Sequence, residues 1–124
     1  MRIVAVVDDN SDNRTLVRAL LEQFYTIRQY GDGPSALTAF EQDRPDAVLL
    51  DISLPGMDGV EILARMRANP RLCDVPAIAL TAYAMKGDRE KYLAAGFNGY
   101  VVKPIIDERL LLDNLARCFE PGSA

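Results

Sequence analysis

Four short apolar runs in this chain each end on polar residues that could do chemistry. Ile3 to Val7 is followed by the adjacent pair Asp8 and Asp9, Ala47 to Leu50 by Asp51, Ala77 to Leu80 by Thr81, and Tyr100 to Val102 by Lys103 and Pro104. Brought together, these ends would place three carboxylates, a hydroxyl and an ammonium in one cleft. Carboxylates about 4 Å apart repel by roughly 4 kcal/mol per pair at an effective dielectric of about 20. The physical remedies are proton uptake or a cation. Lys103 supplies one positive charge, and a hard divalent cation would supply the rest. Mg²⁺ fits, because it needs only one or two carboxylates and completes its shell with waters. A carboxylate flanked by Mg²⁺, an ammonium and a hydroxyl is suited to accept a phosphoryl group as an aspartyl phosphate. The cations would balance charge on the phosphoryl oxygens, and Thr81 would hydrogen-bond one of them.

Several other chemistries are excluded by composition. The chain has no His, which removes a Ser-His-Asp triad, a Cys-His dyad and any imidazole metal site. Its two cysteines, Cys73 and Cys118, are far apart and form no C-x-x-C, so a zinc site lacks ligands. They are expected to be reduced thiols rather than a bridge. A net charge of −4 disfavours nucleic acid and anionic membranes as partners. The apolar run after Arg2 stops at Asp8, too short for a signal peptide or a membrane span, and the expected location is cytoplasmic. The 124 residues suit one domain that needs neither disulfide nor metal to fold.

The elements that must position the cleft follow from patterning. Ile3 to Val7, Ala47 to Leu50 and Ala77 to Leu80 are continuous apolar runs of the kind buried on both faces of a parallel sheet, with Tyr100 to Val102 a shorter example. Tyr25 to Tyr30 alternates polar and apolar residues, as an edge strand does. Helical stripes lie between them: Leu16, Val17, Leu20, Leu21 and Phe24 in a helix over Ser11 to Phe24, Leu37 and Phe40 in Pro34 to Glu41, and Ile62, Leu63 and Met66 in Asp58 to Arg67. Asp88 to Ala95 stops at Gly96, a natural C-terminal cap. Asp107 to Phe119 carries Leu110, Leu111, Leu115 and Cys118 inward. Five β-α repeats imply an α/β fold, with a five-stranded parallel sheet in the order 2-1-3-4-5 and helices on both faces. Ligands of such sheets bind outside the carboxyl ends of the strands, where Asp8, Asp9, Asp51, Thr81 and Lys103 fall.

Each residue also has a plainer use. A strand-end Asp often caps a helix, but Pro55 and Gly56 separate Asp51 from the helix starting at Asp58, and Ser11 or Asp12 lies nearer the first helix than Asp8 or Asp9. Tyr100 suits core packing and a switch equally. Tyr83 and Phe97 are either exposed aromatics on a partner face or core residues.

Five stretches together resemble the receiver domain of two-component response regulators: Val7-Asp8-Asp9-Asn10, Leu50 to Gly59 (LDISLPGMDG), Leu80-Thr81-Ala82, Tyr100 to Pro104 (YVVKP), and Gly31 to Leu37 (GDGPSAL). The resemblance covers nearly the whole chain, with residues 1–120 as the receiver and 121–124 as a C-terminal tail or linker. It implies a flavodoxin-like receiver fold and a phosphorylation-controlled signalling switch. Asp51 would accept phosphate from a His of a sensor kinase or histidine phosphotransfer protein. Asp8, Asp9, Asp51 and the main-chain carbonyl of Ser53 would hold Mg²⁺, with Asp8 acting mostly through water. Thr81, Ala82 and Lys103 would bind the phosphoryl group, Thr81 and Tyr100 would form the switch pair, and the Lys103-Pro104 bond would be cis. Catalysis would be limited to phosphoryl acceptance and slow self-dephosphorylation. Ser53 departs from the commoner Met or Asn at its place, which bears on that dephosphorylation rate.

The stretch Thr81 to Lys91 resembles receivers of hybrid kinases and of stand-alone regulators, so the chain is either a stand-alone receiver or part of a larger protein. Its downstream partner, or a second copy, is expected on the face of the fourth helix, fifth strand and fifth helix. A Mg²⁺-dependent phosphohydrolase would instead place a D-x-D pair after the first strand and carry a cap domain. A flavodoxin-like electron carrier would need a Ser/Thr/Gly-rich cradle where Asp8-Asp9-Asn10 would repel a flavin phosphate. Turnover of a phosphate ester, or a yellow colour, would distinguish these two.

Overall fold

Alternation along the buried strands divides the core into two layers. In the computed structural model, which describes residues 2–82, 87–103 and 108–119, the strands are β1 (Ile3–Val7), β2 (Thr26–Tyr30), β3 (Ala47–Asp51), β4 (Ala77–Thr81) and β5 (Gly99–Val102). The helices are α1 (Ser11–Leu21), α2 (Gly33–Gln42), α3 (Gly59–Ala68), α4 (Asp88–Ala95) and α5 (Glu108–Phe119). Successive strand residues point to opposite faces. Val4, Val6, Ala47, Leu49, Ile78, Leu80 and Val101 pack with Val17 and Leu21 of α1 and Leu111 and Leu115 of α5. Ala5, Val7, Val48, Leu50, Ala77 and Ala79 pack on the other face with Phe40 of α2, Ile62, Leu63 and Met66 of α3, and Tyr92 of α4.

All strand pairs are parallel and the sheet order is β2-β1-β3-β4-β5, as expected from the alternation of elements. The three central strands are buried almost throughout, whereas β2 is only half-buried, which explains its mixed sequence. The two cysteines are free thiols. Among the described residues, no helix is long and apolar enough to cross a membrane.

Local chemistry starts and stops the helices. Asn10 caps α1, its Oδ1 accepting from the N–H groups of Asp12 at 2.9 Å and Asn13 at 3.1 Å. The cap is neither Ser11 nor Asp12, because both lie inside the first turn. Asp32 caps α2 through Ser35 N–H at 2.7 Å, with Pro34 in the first turn, and Asp58 caps α3 through Glu61 N–H at 2.9 Å. Gly96 ends α4 at φ 110°, a left-handed conformation that a side chain would strain.

Three expected core positions differ. Helix α1 stops at Leu21, and Phe24 beyond it is 46% exposed. Leu16 is 38% and Leu110 43% exposed, because each lies at the margin of its stripe and the sheet reaches only the central part. Phe97 is buried against Tyr92 with ring centroids 6.2 Å apart, so it is core rather than partner surface. Tyr83, Pro104 and the 121–124 tail lie outside the described residues.

Gly59 brings the start of α3 against the end of β3. A Cβ there would lie 2.5 Å from the Asp51 carbonyl oxygen. Gly59→Ala is therefore expected to lower stability by about 1–3 kcal/mol, the usual cost of forcing atoms into a packed site. Urea unfolding checks this, and unchanged stability would mean that α3 can slide away from β3 at no cost.

Candidate functional site

The parallel ladder carries the strand ends to a common edge and continues into the loops. Asp8 N–H donates to the Tyr30 carbonyl at 3.1 Å, Ile52 N–H to Leu80 at 3.0 Å, and Lys103 N–H to Thr81 at 2.7 Å. Asp8, Asp51, Thr81 and Lys103 are thereby fixed at the carboxyl edge of β1, β3, β4 and β5. This is the side of an open α/β sheet on which ligands bind.

The Lys103 ammonium bridges two carboxylates, lying 2.9 Å from Asp51 Oδ2 and 3.0 Å from Asp8 Oδ2. All three side chains are largely withdrawn from water: 15% exposed for Lys103, 6% for Asp51 and 0% for Asp8. Burial works to lower the Lys103 pKa, but Asp51 and Asp8 outweigh it and hold it above the ordinary lysine value. The remaining carboxylate oxygens take main-chain donors. Asn10 N–H donates to Asp8 Oδ1 at 2.9 Å, and Ser53 N–H donates to Asp51 Oδ1 at 3.0 Å. Asp9 is exposed at the mouth of the cleft.

One oxygen is left short. Asp8 Oδ2 is fully buried and, among the described residues, has the Lys103 ammonium at 3.0 Å as its one close polar partner, which leaves it room for another. Asp8, Asp9 and Asp51 each offer an oxygen, all within 4.8 Å of one another. Three carboxylates against one ammonium leave two negative charges. The all-oxygen donor set, the residual charge and the under-bonded Asp8 oxygen all fit a hard divalent cation such as Mg²⁺.

The expected site residues thus divide. Asp8, Asp9, Asp51 and Lys103 come together as the strand ends implied. Ser53 is exposed, with its N–H on Asp51. Thr81 is buried at the end of β4, Ala82 is exposed next to it, and Tyr100 is partly buried. Two residues escaped the sequence reading. Arg14 reaches back from α1 and donates from Nη1 to the Asp8 carbonyl at 2.5 Å, which ties the β1–α1 loop in place. Tyr92 places its hydroxyl 3.3 Å from Thr81 Oγ1. Its signal was present, since Tyr92 is the one aromatic residue of α4 and follows four charged residues.

The sheet of this order ends in a buried carboxylate–lysine cluster, with Thr81 at the end of the strand next to Asp51. The chain matches the model of the response regulator receiver domain over residues 4–115 and belongs to that family. It is a receiver domain of two-component signalling, with the role of a phosphoacceptor switch. It is 40% identical over 121 residues to the signal transduction histidine-protein kinase BarA of Escherichia coli K12, covering 97% of this chain and 13% of that protein. It is 39% identical to the polar-differentiation response regulator DivK of Brucella anthropi, covering 87% of this chain and 89% of DivK. The crystallised receiver domain of the sensor histidine kinase PA1611 of Pseudomonas aeruginosa is 38% identical, with a TM-score of 0.83 over 94% of this chain and 95% of that one. That crystal holds a magnesium ion coordinated in its active-site cleft. Receiver domains are signalling domains, generally not enzymes, and they act with histidine kinases and downstream effectors.

Removing the bridging ammonium would leave two buried carboxylates facing each other. Lys103→Met is expected to destabilise the protein by about 3 kcal/mol at pH 7 without divalent cations, as uncompensated buried charges do. Equilibrium unfolding in EDTA measures it. A loss below about 1 kcal/mol would show that water, not Lys103, compensates these carboxylates.

Proposed function

We propose that Asp51 is the phosphoacceptor, taking the group from a phosphohistidine of a sensor kinase or histidine phosphotransfer protein. The observation that carries this is the Lys103 bridge between Asp51 and Asp8 at 2.9 and 3.0 Å, with Asp9 beside it. An Asp51 oxygen attacks phosphorus as the phosphorus–nitrogen bond of the donor breaks. The imidazole leaves with that electron pair and is neutralised by a proton from solvent. Lys103 exchanges its contact with Asp51 for one with a phosphoryl oxygen, so its charge stays compensated throughout. Thr81 Oγ1 and the Ala82 N–H donate to the other oxygens. Asp8, Asp9, Asp51 and the Ser53 carbonyl would hold Mg²⁺, which when bound balances negative charge on the transferring group. Self-dephosphorylation is slow in this reading, because the carboxylates that could activate water would be taken up by Lys103 and the cation.

The signal leaves, in this reading, through Thr81 and Tyr100 to the face formed by α4, β5 and α5. A groove of about 1090 Å³ there is lined in part by Leu93, Tyr100, Val102 and Leu110, and none of the site carboxylates lines it. Leu93 and Leu110 are 42% and 43% exposed, an apolar pair suited to a protein partner or a second copy.

Incubation with acetyl phosphate and Mg²⁺, read by intact mass, tests the acceptor. One phosphoryl adduct is expected on the wild type and none on Asp51→Asn or in EDTA. An adduct on Asp51→Asn would move the acceptor elsewhere. The adduct should also shift amide resonances of Leu93, Tyr100 and Leu110. Unchanged resonances there, together with an unchanged hydrodynamic size, would remove this face as the output.

A further inference from the structure

Thr81 and Tyr92 are 1% and 5% exposed, and their hydroxyl oxygens lie 3.3 Å apart. Buried hydroxyls are held by the partners they find, and Tyr92 is one of those that hold Thr81 Oγ1 in place. Strand alternation explains the meeting. Leu80 faces the α1–α5 layer, so Thr81 projects to the opposite layer, where α4 packs and Tyr92 is the buried residue. The Tyr92 ring also touches the second member of the proposed switch, with centroids 6.2 Å from Tyr100 and planes tilted by 49°. Tyr92 therefore lies against both Thr81 and Tyr100.

A threonine hydroxyl has one proton and two lone pairs, and a phosphoryl oxygen can only accept. Tyr92 and Asp51 lie in different directions from Thr81, one on α4 and the other on the neighbouring strand β3. Turning Oγ1 from one staggered position to another displaces it by about 2 Å, enough to break a 3.3 Å contact. Resting on the assignment of Asp51 and Thr81, we propose that Tyr92 is a positioning residue that competes with the phosphoryl group for the Thr81 hydroxyl. Its bond sets a threshold that phosphorylation must overcome, and its ring links that event to Tyr100. By linkage, removing an interaction made only in the form that lacks the phosphoryl contact favours the other form by the energy of that interaction.

Titration of beryllofluoride, a phosphoryl mimic, in the presence of Mg²⁺ tests this, with amide shifts of Thr81 and Lys103 as readout. Tyr92→Phe keeps the ring and removes the hydroxyl. It is expected to bind the mimic about three- to tenfold more tightly, the effect of one neutral hydrogen bond. In a Thr81→Val background the same substitution should change nothing. Equal or weaker binding by Tyr92→Phe, or the same change in both backgrounds, overturns the proposal. A measurement on the wild type guards against a variant that folds poorly: the ¹³Cζ resonance of Tyr92 should move on saturation with the mimic, and a fixed resonance overturns the proposal as well. If the wild type binds no mimic in Mg²⁺, the phosphoacceptor assignment itself fails, and Tyr92's role with it. If it binds while Tyr92→Phe matches it, only the role of Tyr92 is lost.

Discussion

The Lys103 ammonium lies 2.9 Å from Asp51 Oδ2 and 3.0 Å from Asp8 Oδ2, in a place where neither carboxylate is freely hydrated. Charges withdrawn from water are tolerated only when they are compensated. One ammonium compensates two carboxylates incompletely, and the exposed Asp9 adds a third. The cluster therefore remains electron-rich and open to a cation, while its lysine is held charged by the acids it bridges. Acceptance of a dianionic group requires both properties. A fully neutralised cluster would have no use for a metal, and a cluster without lysine would repel the incoming phosphate.

The fold is the means of holding that imbalance. Three adjacent strands, β1, β3 and β4, are apolar to their last residue or the one before it, and then turn polar at the same edge. Parallel pairing with crossover helices puts like ends side by side, which an antiparallel sheet would not do. Main-chain bonds from Ile52 to Leu80 and from Lys103 to Thr81 extend the ladder past the strands, so the functional loops inherit the rigidity of the sheet. Gly59 and Arg14 complete the frame: one lets α3 close on the Asp51 carbonyl, and the other ties the Asp8 carbonyl to α1.

Much of this was legible in the sequence because it follows from one-dimensional rules. Burial on both faces demands unbroken apolar runs, and residues immediately after such runs must lie at a sheet edge. Asp8, Asp51, Thr81 and Lys103 could be placed together on that ground alone. What escaped depends on distances between helices and sheet. Leu16, Phe24 and Leu110 have the spacing of buried residues, yet Leu16 and Leu110 lie at the margins of their stripes and Phe24 lies beyond the end of α1. Asn10, rather than Ser11 or Asp12, caps α1, because the helix already begins at Ser11, earlier than either of those caps would require. Tyr92 is the instructive omission. Nothing in the helical period of α4 links it to Thr81; the contact exists because alternation on β4 turns Thr81 toward the layer in which α4 is packed.

That same alternation separates two tasks among the residues of one edge. Asp51 follows Leu50, which faces α2 and α3, and Thr81 follows Leu80, which faces α1 and α5. Parallel register pairs Asp51 with Leu80 and Thr81 with Val102, so the two polar ends are staggered by one residue along adjacent strands. A stagger of one residue in a sheet reverses the face to which a side chain points. Asp51 is therefore directed to the lysine bridge, while Thr81 is directed to the hydroxyl of Tyr92. The electrostatic half of the site is rigid, held by charge and main-chain donors. The hydroxyl half includes a contact between neutral groups, Thr81 with Tyr92, which is weaker than the charged bridge. In the mechanism proposed above, charge fixes where the phosphoryl group lands, and the weaker neutral contact is the part that yields when it arrives.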